Sequence, residues 1–192
     1  MSPYTRADAR SALCDAAAVW RVAPSWGIQD VIDAAVQALI ADLDTPGLRE
    51  LAGANAHESF FALDPLVTRT LEELGCPTTD DDGDTVAALR ALCHRVVSAS
   101  LVPRDLADFA HRHVGHEGAR SWQPFVTLDD LYDDAGYLGY TSEQCDQWVL
   151  DEALVFLAGE PSTFLAEARW APPRQVREPS KRPFWKRAFG RE

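Results

Sequence analysis

The chain predicts an all-α fold. Three observations carry this: apolar residues recur every three to four positions along most of the 192 residues, alanine is abundant, and Val, Ile and Thr nowhere sustain the alternation of a strand. The architecture expected is a single orthogonal multi-helix bundle of about seven or eight helices on residues 1–168, followed by a flexible basic tail on 169–192.

Each element has a local reason. Residues 5–22 place Leu13, Ala16, Ala17 and Trp20 on one side, and Pro24 ends the helix. Residues 27–43 carry Ile28, Val31, Ile32, Ala35, Leu39 and Leu43, a wide face that predicts the central helix of the core. Thr45-Pro46 restarts a short helix that Gly53 closes, and Asp64-Pro65 repeats that start signal before Leu66, Val67, Leu71 and Leu74. Residues 76–84 read as an acidic loop, with Asp84 capping the helix of Val86, Leu89, Cys93 and Val96. Pro103 opens a helix with Leu106, Phe109, Ala110 and His113 on one face, stopped by Gly115. Thr127 is expected to cap a short acidic helix over 128–135, and Gly136-Tyr137-Leu138-Gly139-Tyr140 to form a turn. Thr141 and Gln144 match a capping box for a helix ending at Gly159, and a last short helix is expected over 161–169.

Composition narrows the class. An apolar content of 46% is ordinary for a globular domain, and no apolar run is long enough to span a membrane. The polar N-terminus lacks the segments of a signal peptide, so a cytoplasmic location is expected. Cys14, Cys76, Cys93 and Cys145 are widely spaced with no C-x-x-C, so neither disulfides nor a cysteine zinc site is expected. Cys14, Cys93 and Cys145 instead read as small packed hydrophobes. The net charge of -12 is partitioned: the tail 169–192 holds eight Lys or Arg against Glu178 and Glu192, a local +6, which leaves -18 on residues 1–168. So acidic a body repels nucleic acid and attracts basic proteins. In the tail, Phe184, Trp185, Lys186 and Arg187 are the candidate contacts, with the acidic body itself, with an anionic membrane surface or with nucleic acid through stacking and phosphate contacts.

Two segments concentrate the chemistry. His111, His113 and His116 fall within six residues, and Asp129, Asp130, Asp133 and Asp134 follow. Imidazoles and carboxylates together can hold a divalent metal. On a helix, His111 and His113 diverge, whereas His113 and His116 have the better spacing. The competing structural reading puts His113 on the apolar face, His111 in solvent and His116 at a turn. Asp129 and Asp130 would then suit the first turn of a helix, leaving Asp133 and Asp134 in want of a partner such as Arg120. The run Asp80-Asp81-Asp82-Gly83-Asp84 fails as a calcium loop, because an EF-hand started at Asp80 needs Gly and Glu where Thr85 and Ala91 stand. Phosphate-binding, dinucleotide-binding, serine-hydrolase and H-E-x-x-H signatures are absent.

The stretch Leu106–His113 with Gly115-His116-Glu117-Gly118, then Gln123-Pro124-Phe125-Val126 and Leu128–Asp133, resembles small helical proteins of high-GC bacteria that carry no assigned function. Leu48–Gly53 and Leu71–Gly75 share that resemblance, which covers about residues 45–135. It implies a cytoplasmic helical fold and supplies no reaction or cofactor. The function expected is a non-enzymatic interaction module, inhibitor- or immunity-like, that binds a basic protein through Glu117, Asp129, Asp130, Asp133 and Asp134, with no cofactor. The alternative is a metal-binding protein or metal-dependent hydrolase built on His113, His116 and the Asp129–Asp134 acids, with His111 as a further ligand.

Overall fold

Thr5 opens the first helix with a reciprocal cap. Its hydroxyl accepts from the Asp8 amide at 3.2 Å, and the Asp8 carboxylate accepts from the Thr5 amide at 3.1 Å. Two orphan donors at the helix start are thereby satisfied. The computed structural model describes residues 5–76, 81–162 and 164. Its helices are α1 Arg6–Val22, α2 Ile28–Ile40, α3 Pro46–Ala52, α4 Phe60–Glu73, α5 Asp81–Val97, α6 Pro103–His113, α7 Gln123–Leu138 and α8 Ser142–Ala158, with a 3-10 turn at Arg120–Trp122 before α7. No strand occurs among the described residues, and the fold is all-α as the sequence predicts. None of these helices is long and apolar enough to cross a membrane. The tail candidates Phe184, Trp185, Lys186 and Arg187 lie outside the described residues, as does most of the helix expected over 161–169, of which Pro161 and Ser162 are described and are not helical.

Capping chemistry sets several boundaries. Thr45 accepts from the Leu48 amide at 3.2 Å with Pro46 in the first turn, and Thr141 and Gln144 cap reciprocally. Pro103 opens α6, and Gly159 ends α8. Three expected boundaries move. Asp64-Pro65 starts nothing: α4 opens five residues before Pro65, which lies inside it. The hydrogen bond that Pro65 cannot donate would have gone to the Phe61 carbonyl. Phe61 is 87% exposed, so this lies on the solvent side, where water can substitute. Asp84 is not a cap, because α5 begins at Asp81. Thr127 is not a cap either. Pro124 stands in the first turn of α7, and Phe125, Val126 and Leu128 give that helix a buried side from its start. Gly136, Tyr137 and Leu138 therefore form the last turn of α7, and the chain turns only at Gly139.

Two apolar clusters make up the interior, and α1 belongs to both. Leu13, Ala17 and Trp20 pack with Val31, Ala35, Leu48, Leu51, Leu63 and Val67 from α2, α3 and α4. Ala18 and Val19 look the other way, into Leu89, Leu92, Phe109, Trp122, Phe125 and Val149 from α5 to α8. The central helix is thus α1, packed against both α2 and α5, and not α2 as the width of its apolar face suggests. On α2, Val36 and Ile40 remain exposed. Small residues explain the difference: Ala9, Ala17, Ala18 and Ala23 let neighbouring backbones approach α1 from two sides.

Polar ties reinforce the junction. Arg21 on α1 donates to Thr68 at 2.7 Å and Asp64 at 3.3 Å on α4, and reaches Asp84 on α5 at 3.5 Å. Arg95 on α5 pairs with Asp30 on α2 at 3.1 Å. The cysteine expectation is corrected for one pair: Cys14 on α1 and Cys76 after α4 form a disulfide across 62 positions of sequence, with Cα atoms 6.6 Å apart. Cys93 and Cys145 are free and buried, as expected of packed hydrophobes, and burial pushes the Cys93 thiol up to about 12.

Candidate metal centre

The C-terminus of α6 and the first half of α7 build the site. His111, Arg112 and His113 occupy the last turn of α6, where positive charge is favoured by the unpaired carbonyls. Gly115 then takes φ +67°, a conformation that side-chain-bearing residues rarely adopt, and reverses the chain. The loop that follows is tightly held. Gln123 Nε2 donates to the carbonyls of Gly115 at 3.1 Å and Gly118 at 3.2 Å. A Cβ on Gly118 would stand 2.1 Å from Val114 Cγ1 and 2.7 Å from the Val114 carbonyl, so only glycine fits this packing. The fixed loop carries His116 back over α6.

As a result, the rings of His111 and His116 face each other, with centroids 5.1 Å apart and planes at 68°. Two carboxylates of α7 meet them. His111 Nδ1–H donates to Asp129 Oδ2 at 2.8 Å, and the same nitrogen is 3.6 Å from Asp130 Oδ1. His116 Nε2 lies 3.7 Å from the other oxygen of Asp130. Asp129 is largely buried, with its side chain 14% exposed, whereas that of His116 is 60% exposed. The site is therefore anchored on its inner side and open on its outer side.

His111, His116 and Asp130 each offer one ligand atom, and these atoms lie within 4.8 Å of one another. Metal–ligand bonds of about 2.0–2.2 Å put the ligand atoms of a tetrahedral site about 3.3–3.6 Å apart. To share one ion these atoms have to draw closer together, and the exposed side chain of His116 is the freest of the three to move. With its Nδ1–H held by Asp129, His111 has only Nε2 left to offer a metal, and Asp129 would then orient the ring, the role that carboxylates commonly play behind metal-bound imidazoles. The donor set of nitrogen with oxygen suits Zn²⁺, Co²⁺, Ni²⁺ or Cu²⁺ better than Mg²⁺ or Ca²⁺.

The other sequence candidates fall elsewhere. His113 is not a member of the cluster. Its ring packs on Phe109, with centroids 4.8 Å apart, and burial lowers its pKa. The preferred pair His113 and His116 is thus replaced by His111 and His116, and His111 points at carboxylates rather than into solvent. Asp133 pairs with Arg104 at 3.4 Å, not with Arg120. Asp134 and Glu117 are exposed and form no ion pair among the described residues. Arg104 also lies over the Tyr132 ring at 5.2 Å, and nothing in its sequence position signals that contact. No family model, curated protein or solved structure matches the chain.

Proposed function

We propose that this protein binds a divalent transition-metal ion through His111, His116 and Asp130, with Asp129 orienting His111. The observation that carries the reading is the facing of two imidazoles across one carboxylate, on a loop that Gln123 and Gly118 hold in place. The same contacts without a metal would be a polar brace between α6 and α7, so the experiment has to separate the two. Tag-free, dialysed protein titrated with Zn²⁺ in a calorimeter is expected to bind one ion. His116→Ala should weaken binding at least about tenfold, and Asp129→Asn by about 10–100-fold through the loss of ligand orientation. His113→Phe, which keeps the ring packing, should leave the affinity unchanged. Binding should also weaken on acidification, because protons compete for the imidazoles. Equal zinc binding by wild type and His116→Ala would leave the brace as the whole role.

A second reading, a docking face for a basic protein, draws on one observation. Tyr137 is 93% exposed on α7, one turn after the exposed acids Asp133 and Asp134. An exposed aromatic flanked by carboxylates matches what a cationic partner needs for packing and charge. A lysine-rich peptide is expected to lose at least about threefold in affinity against an Asp134→Asn/Tyr137→Ala variant, read by fluorescence anisotropy. An unchanged affinity would remove this face from consideration.

A further inference from the structure

A cavity of about 640 Å³ opens between α5, the start of α7 and the end of α8. Its walls are apolar: Phe125 from α7, with Val155 and Phe156 from α8. Arg90 of α5 and Arg120 of the 3-10 turn also line it. Both guanidiniums belong to exposed residues, and neither makes a hydrogen bond or ion pair among the described residues. Arg6, Arg21, Arg49, Arg69, Arg95, Arg104 and Arg112, by contrast, all pair with carboxylates. Two carboxylates also reach the cavity. Glu152 is buried in the wall and already has a partner, and Glu160 is exposed on the loop after α8.

The volume falls in the range of small-molecule sites, which are typically apolar with a few polar groups that fix orientation. An apolar body would exclude water from the half-buried Val155 and Phe156. A carboxylate head would meet two guanidiniums that make no hydrogen bond or ion pair among the described residues, Arg90 having only a longer-range attraction to Asp15, and guanidinium binds carboxylates through paired hydrogen bonds. We infer that this cavity is a binding site for a small amphipathic carboxylate, held by Arg90 and Arg120 at its head and by the α7–α8 wall along its apolar body. The site is separate from the metal centre and needs no ion, so either can fail while the other stands.

Three probes with the same eight-carbon body isolate the head group: octanoate, 1-octanol and octylamine, titrated into the full-length protein without added metal and read by calorimetry. Octanoate should bind at least about tenfold more tightly than 1-octanol, and octylamine should bind more weakly still. Arg90→Gln/Arg120→Gln, at two exposed positions, should abolish the difference between octanoate and 1-octanol. Val155→Glu, which puts a carboxylate into the wall, should cost octanoate about tenfold or more, with the fold checked by circular dichroism. Four outcomes would overturn the inference: no binding of octanoate, equal binding of octanoate and 1-octanol by the wild type, an unchanged preference for octanoate in Arg90→Gln/Arg120→Gln, or full octanoate binding by Val155→Glu.

Discussion

Replacing Phe109 by alanine is expected to lower the unfolding free energy by about 3–5 kcal/mol, the range for deleting a large aromatic side chain from a core. Phe109 is fully buried on α6. Its ring meets Trp26 and His113 at 4.8 Å and Trp122 at 5.7 Å. These three ring contacts would vanish together. For a chain of this size, a loss in that range corresponds to a fall in Tm of roughly 6–20 °C. Urea unfolding measures it directly, and a loss below about 1.5 kcal/mol would mean that the aromatic group repacks. Because α6 also presents His111, zinc affinity should fall in the same variant.

Reduction of the Cys14–Cys76 bond should cost about 4 kcal/mol on the loop-entropy model, given the 62 positions that separate the two residues. The bond joins α1 to the end of α4, and so staples the first and last helices of the α1–α4 core. Dithiothreitol should lower the urea midpoint, and Cys14→Ser/Cys76→Ser should reproduce the reduced protein without any reductant. Thiol counting under denaturing, non-reducing conditions should find two free groups, Cys93 and Cys145, and four after reduction. Four free thiols in the unreduced protein would sink the prediction. In a reducing compartment the bond would not persist, and the chain would then work at the lower stability.

The histidine cluster shows where local rules run out. Spacing along a helix paired His113 with His116, because residues three apart share a face. That rule needs a continuous helix, and α6 ends at His113. Past it, Gly115 reverses the chain and brings His116 over the preceding turn, to His111. The stop at Gly115 was legible, but the direction of the chain beyond it was not. Asp129 and Asp130 were visible as candidates, yet their partner depends on how α7 lies along α6. Cys14 and Cys76 carried no pattern at all, since a bond across 62 positions depends only on where the two ends meet. The cavity lined by Arg90 and Arg120 is legible in no single segment, because its walls come from three helices and a loop.

The amino-acid sequence by itself determined the all-α fold, most of the helix boundaries and the region that holds the candidate ligands. Those follow from near-neighbour physics: apolar spacing, capping hydroxyls, and the backbone limits of proline and glycine. Only the tertiary structure decided that α1 and not α2 is the shared helix, that His111 and not His113 faces His116, and that two cysteines meet. Each of these depends on contacts between elements far apart in sequence. Small residues on α1, a glycine that admits no Cβ beside Val114 and the packing of α6 on α7 select one arrangement of the same helices from many.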